Sequence, residues 1–145
     1  MVDDLYQEII LDHSKHPRNC HPMEDATRKA EGYNPLCGDK LKLFIKVEDD
    51  IVKDVSFVGS GCAISTASAS LMTESLKGKT RDEALKLLEK FHDLLTTDSP
   101  VTHELGKLVV FCGVRDYPAR VKCATLAWHT LKSALNGTAE PVSTE

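Results

Sequence analysis

The sequence predicts a single domain that mixes helices with an antiparallel hairpin, and three observations carry that prediction. The chain has 145 residues, which suits one domain and is enough to bury a proper hydrophobic core. Residues 40–58 hold two runs with the composition and period of strands, separated by the acidic turn Glu48-Asp49-Asp50. Apolar residues at helical spacing recur on either side of that hairpin. With 41% apolar and 28% charged residues, the composition is that of an ordinary soluble globular protein.

Taken in order, the elements begin with a helix over Asp3 to His16. Leu5, Ile9, Ile10 and Leu11 form its apolar stripe, and Asp3 and Asp4 suit the positive end of the helix dipole. His16-Pro17-Arg18-Asn19 stops it, and Ala26 to Gly32 is expected to form a short edge strand. Lys40 to Val47 alternates basic and apolar side chains, the signature of a half-buried strand, and Ile51 to Val58 supplies its hairpin partner. Gly59-Ser60-Gly61 breaks the strand pattern just before Cys62. Ala63 to Lys77 reads as a helix rich in Ala and Ser, whose small side chains allow close approach to a neighbour. Thr80-Arg81-Asp82-Glu83 is a capping-box sequence opening a further helix through Leu95. Thr96 to Pro100 reads as a turn, and Thr102 to Val110 as helical. Asp116-Tyr117-Pro118 opens the last helix, which runs through Cys123 and Trp128 to Leu135 and ends at Asn136-Gly137. Residues 1–137 are expected to form the one domain, and the polar tail 138–145 is expected to be disordered.

Several function classes are disfavoured at once. A net charge of -4 argues against nucleic acid as the main partner, since phosphate binding needs a concentrated basic face. No apolar run approaches the roughly 18–20 residues that span a bilayer. The acidic start Met1-Val2-Asp3-Asp4 lacks the basic and apolar regions of a signal peptide, so a cytoplasmic protein with reduced thiols is expected.

The five cysteines are Cys20, Cys37, Cys62, Cys112 and Cys123, an odd number that a fully paired disulfide framework would not give. Metal ligation, a nucleophile or buried thiols remain as readings, and the lack of a C-x-x-C pair disfavours thioredoxin-like redox chemistry. Cys37 and Asp39 flank Gly38, Cys62 follows a Gly-Ser-Gly turn, and Cys123 lies early in the last helix beside Arg120 and Lys122. Three thiolates and a carboxylate would close a tetrahedron around a soft divalent ion such as zinc, and basic neighbours would offset the negative charge of the set. The helix start at Cys62 would favour a thiolate there. Against this stands the plain reading of Cys62 and Cys123 as small buried apolar residues. His13 and His16 read as a solvated helix end, Cys20 as an exposed spare thiol, Cys112 as buried within its apolar run, and Trp128 as core.

Four ordered stretches then carry a family resemblance: Tyr6 to Asn19, Asn34 to Asp39 (NPLCGD), Gly61 to Thr73, and Tyr117 to Trp128. Together they make the chain from Leu5 to Leu135 resemble the SufU/IscU (NifU N-terminal) proteins of iron–sulfur cluster assembly. The resemblance implies an α+β fold of the SufE/NifU type, with a small antiparallel sheet of about three strands packed against several helices. It also implies Cys37, Asp39, Cys62 and Cys123 as zinc ligands, with Cys37 as the residue that accepts sulfur. Scaffold members carry a histidine before the last cysteine, whereas this chain has Lys122, and its stretch from Cys62 to Cys123 is longer than theirs. Both departures resemble the SufU branch. The implied activity is therefore a zinc-dependent sulfurtransferase taking persulfide sulfur from a cysteine desulfurase and passing it to a downstream cluster scaffold or other acceptor. In that branch a side chain of the docked partner is implied to take a zinc position and free Cys37. The alternative is a scaffold that builds an iron–sulfur cluster on the same ligands, and a purely structural zinc module is a third reading. Arg120 either supports the anionic site and orients Asp39, or is a surface charge.

Overall fold

A computed structural model of the chain describes residues 2–34, 38–96, 106, 108, 111, 114, 117–136 and 142–143, with the side chains of 2–6, 118 and 142–143 left aside. Cys37, Cys112, most of 102–110 and the rest of the tail lie outside the described residues. The elements follow the order α1 (Val2–Lys15), β1 (Arg28–Asn34), β2 (Asp39–Glu48), β3 (Ile51–Ser60), α2 (Ala63–Leu76), α3 (Arg81–Thr96), α4 (Pro118–Leu135) and β4 (Val142–Ser143).

The sheet has the order β3-β2-β1-β4. Its three long strands pair antiparallel, with Arg28 opposite Ile45, Asn34 opposite Asp39, and Leu43 opposite Phe57. This is the α+β architecture expected of the sequence. The hairpin between β2 and β3 turns on Asp49 and Asp50, both in the left-handed region at φ 52° and 64°. Two positive-φ residues match the right-handed twist of paired strands, as in a type I′ turn, and aspartate tolerates that conformation better than most side chains. β1 starts and ends two residues later than its expected span of 26–32, because its register is set by pairing along β2 rather than by its own weak alternation. Val142 and Ser143, within the segment read as a disordered tail, pair parallel with Gly32 and Tyr33.

Leu41, Leu43 and Ile45 of β2 and Val52, Val55 and Phe57 of β3 are buried in one cluster with α2, α3 and α4. Helix α4 packs on β1 and β2, α2 packs on β3 and α4, α1 lies along α2, and α3 lies against α4. The centre of the helical layer is aromatic. Trp128 stacks on Phe91 at 4.5 Å between ring centroids, and Phe111 meets Phe91 edge-on at 5.7 Å. The Trp128 indole N–H donates to Ser68 Oγ at 3.1 Å, so this large core residue buries no unmatched donor. The expected core role of Trp128 is what the fold contains.

Helix α3 opens on the capping box read in the sequence. Glu83 N donates to Thr80 Oγ1 at 3.2 Å, and Thr80 N donates to Glu83 Oε1 at 3.1 Å. That hydrogen bonding also holds the Glu83 carboxyl below its usual pKa.

One reading is corrected. His13 is not at a solvated helix end but is 2% exposed, with Nδ1 2.7 Å from Ser70 Oγ and Nε2 3.5 Å from Glu74 Oε1. Residue 13 stands four after Ile9 and eight after Leu5, so it continues the face that α1 docks along α2, whereas Leu11, expected in the apolar stripe, is 49% exposed. The segment that follows is pinned to the same helix: Arg18 N donates to Ser70 Oγ at 2.8 Å and Asn19 Nδ2 to Thr73 Oγ1 at 3.0 Å. His16 stays exposed. No helix among the described residues is long and apolar enough to cross a membrane.

Candidate metal centre

Three of the four expected ligands come from separate elements and meet at one end of the sheet. Asp39 is the first residue of β2, Cys62 is the N-cap of α2, and Cys123 lies in the second turn of α4. One carboxylate oxygen and the two sulfurs lie within 4.8 Å of one another. Cys37, the fourth expected ligand, lies outside the described residues.

Local chemistry explains each position. Gly38, between Cys37 and Asp39, has φ 73°, a left-handed conformation that glycine adopts at no steric cost, and its N–H donates to Asn34 O at 2.9 Å. The turn thus delivers Asp39 into β2 with its side chain inward, only 1% exposed. Asp39 Oδ1 accepts from Cys62 N at 2.8 Å, while Oδ2 lies 3.9 Å from Cys62 Sγ. One carboxylate oxygen therefore ties β2 to the start of α2 and leaves the other to face the sulfur. Gly61 makes this approach possible: a Cβ there would sit 2.6 Å from Asp39 Oδ1.

The Cys62 sulfur accepts from Ser65 N at 3.4 Å. This is the place a serine or aspartate oxygen takes in an ordinary N-cap. Backbone N–H groups and the positive end of α2 face that sulfur, which favours an anion there. Cys62 is half-buried, whereas Cys123 is 3% exposed and receives a 3.7 Å hydrogen bond from Asn34 Nδ2.

The donor set fits zinc. Zinc–thiolate and zinc–carboxylate bonds of about 2.3 and 2.0 Å give tetrahedral sulfur–oxygen edges of roughly 3.5 Å and sulfur–sulfur edges of roughly 3.8 Å. The 3.9 Å separation of Asp39 Oδ2 and Cys62 Sγ is close to such an edge. Two thiolates and a carboxylate also form a set that a soft divalent ion prefers over magnesium or calcium.

Arg120 stands apart from these atoms. It is exposed in the first turn of α4, with its guanidinium 5.0 Å from the centroid of the Tyr117 ring, and no ion pair with Asp39 forms among the described residues. Lys122 is half-buried, and Cys20 is exposed as the sequence reading expects. Two participants went unassigned in that reading. Asn34 and Gly61 sit in the quoted stretches, but their contacts reach 89 and 22 residues along the chain and become visible only once β1, β2, α2 and α4 are assembled.

Residues 5–135 match the model of the NifU-like N-terminal domain family. The chain is 40% identical over 139 residues to the iron–sulfur cluster assembly scaffold protein IscU of Streptococcus pyogenes, covering 95% of this chain and 87% of that protein. It is 41% identical over 135 residues to the zinc-dependent sulfurtransferase SufU of Bacillus subtilis, covering 92% and 91%. Among solved structures, a protein from Fervidobacterium islandicum described as a SUF-system scaffold for iron–sulfur cluster assembly superposes with a TM-score of 0.85. It is 39% identical, and the match covers 88% of this chain and 94% of that one.

Proposed function

Since the chain belongs to the NifU-like N-terminal domain family of iron–sulfur cluster assembly proteins, we propose that it is a zinc-dependent sulfurtransferase that takes persulfide sulfur from a cysteine desulfurase. The observation that carries this reading is the residue before Cys123. In the scaffold branch that position is a histidine, whereas here it is Lys122, an ammonium that makes no thiolate–imidazole cluster site. Asp39, Cys62 and Cys123 converge without it, and Cys37 would be the fourth ligand of a zinc site that needs no histidine.

Bound zinc would supply a Lewis acid that keeps its thiolate ligands deprotonated at neutral pH. The protein's own residues do the rest. Asp39, fixed through Oδ1, presents Oδ2. Cys62 is held by the start of α2, and Cys123 by the body of α4. Cys37, next to the left-handed Gly38, accepts the sulfur: its thiolate attacks the outer sulfur of the desulfurase persulfide. The partner's S–S bond breaks, the electron pair leaves on the partner's cysteine thiolate, and a persulfide remains on Cys37. A downstream scaffold or other acceptor then receives that sulfur. A cytoplasmic location suits these reduced thiols.

The scaffold reading is kept as the second, because the IscU of Streptococcus pyogenes is as similar as the SufU of Bacillus subtilis, 40% against 41% identical. The test is alanine production by the cognate cysteine desulfurase. Adding this protein should raise it severalfold, and Cys37→Ala should abolish the increase while the variant remains folded by circular dichroism. Equal stimulation by the variant would remove Cys37 as acceptor.

A further inference from the structure

The side chain of Asn34 is fully buried at the end of β1, 0% exposed, and its amide nitrogen lies 3.7 Å from the Cys123 sulfur. Its backbone oxygen meanwhile accepts from Gly38 N at 2.9 Å. One residue therefore reaches both ligand-bearing parts that do not belong to α2: the turn that carries Cys37 and Asp39, and the helix that carries Cys123. A buried amide can be satisfied by many partners, and aiming its N–H group at a sulfur is worth the burial chiefly when that sulfur carries negative charge. We propose that Asn34 is a positioning residue for the metal centre, acting through Cys123: its amide donates to the thiolate and fixes Cys123 as the static ligand of the set.

The physical consequence is an asymmetry between sulfurs. An N–H group directed at a metal-bound thiolate draws electron density from the sulfur, lowers its reactivity as a nucleophile and holds the side chain in its ligating orientation. Cys123 combines that bond with burial. Cys62 is half-buried and takes its N–H from the backbone of Ser65, a contact that does not depend on the Ser65 side chain. The two roles of Asn34 are separable for the same reason. The backbone bond to Gly38 survives substitution, while the amide contact to Cys123 does not.

The inference rests on the zinc centre proposed above, and its test separates the two. The intact chain is loaded anaerobically with cobalt(II) in place of zinc, and the sulfur-to-cobalt charge-transfer band is compared in wild type, Asn34→Ala and Asn34→Asp. Zinc affinity is measured in parallel by competition with a chromophoric chelator. In both variants the band should move to longer wavelength, because a thiolate without its donor gives up electron density more readily, and zinc affinity should fall about 10- to 100-fold. Asn34→Asp keeps the shape of the side chain but points oxygen at the sulfur, so its loss should be the larger. A wild-type band that is unchanged in position and affinity in both variants overturns the role of Asn34 and leaves the zinc centre standing. No thiolate band in wild type overturns the centre and this role with it. Unfolding of both metal-free variants by circular dichroism would make Asn34 a purely structural residue and also overturn the inference.

Discussion

The two ends of helix α4 are held by different forces. Toward its C-terminus, Trp128 stacks on Phe91, and Leu131, Ala134 and Leu135 lie in the apolar cluster with the strands. Toward its N-terminus, Cys123 meets a polar amide, Lys122 is half-buried, and Arg120 stands over the exposed ring of Tyr117. Burial stabilises the fold from Ala124 and Leu126 through Leu135, while the first two turns bring Cys123 to the place where the starts of β2 and α2 meet. The difference teaches that folding and chemistry are largely separable along one rigid rod. The helix holds Cys123 in place because the rest of it is anchored in the core.

The largest expected effect comes from breaking the anchored end. Trp128→Ala removes a stacked, fully buried ring and should cost about 3–5 kcal/mol of unfolding free energy, read by denaturant titration of the metal-free protein. A loss under about 1 kcal/mol would mean that the Phe91–Trp128 stack is not what anchors α4.

The complementary change at the other end is Cys123→Ser. It should leave the metal-free stability within about 1 kcal/mol of wild type, since the residue shrinks only slightly, but it should abolish tight zinc retention. Full zinc occupancy in this variant would contradict the assignment of Cys123 as a ligand. Opposite outcomes for the two substitutions, one on stability and one on metal, would establish the separation directly.

Thr80→Ala should be smaller, about 1 kcal/mol, because it deletes one side of the capping box of α3 and leaves the metal centre untouched. Thermal unfolding with and without zinc checks both parts.

The smallest effect concerns His129. Burial first, then the charges of His92 and Lys132, hold its imidazole below the usual value of 6.5. A folded-state pKa below the unfolded one means that the unfolded chain binds more protons. Stability from this group is therefore full above about pH 6.5 and declines as the pH falls toward the folded value. His129→Gln should flatten that part of the stability–pH curve, and an unchanged slope would show that His129 does not contribute to it.

How much of this was legible beforehand follows the range of the interactions. The capping box at Thr80 and Glu83 and the β2–β3 hairpin are local, three residues apart or joined by a two-residue turn, so their residues announce them. The candidate triad of Asp39, Cys62 and Cys123 was legible only because the stretches around these residues resemble a family, since nothing in spacings of 23 and 61 residues implies that they meet. His13 shares the helix face of Leu5 and Ile9, but the partners that let a histidine be buried there, Ser70 and Glu74, stand 57 and 61 residues away and nothing local announces them. Arg120, which the sequence leaves as either a support for the anionic site or a surface charge, is exposed, with its guanidinium 5.0 Å from the ring centroid of Tyr117, the N-cap residue of α4.

The central claim is that Cys37, Asp39, Cys62 and Cys123 hold zinc for sulfur transfer. It is tested most directly by metal analysis and zinc-edge X-ray absorption on the full chain, purified without oxygen or chelator and then offered iron and sulfide. The account predicts close to one zinc per chain, a shell of three sulfurs and one oxygen, and zinc retained after the treatment. A shell dominated by nitrogen, or a stoichiometric and transferable iron–sulfur cluster that displaces the zinc, would contradict it and favour the scaffold.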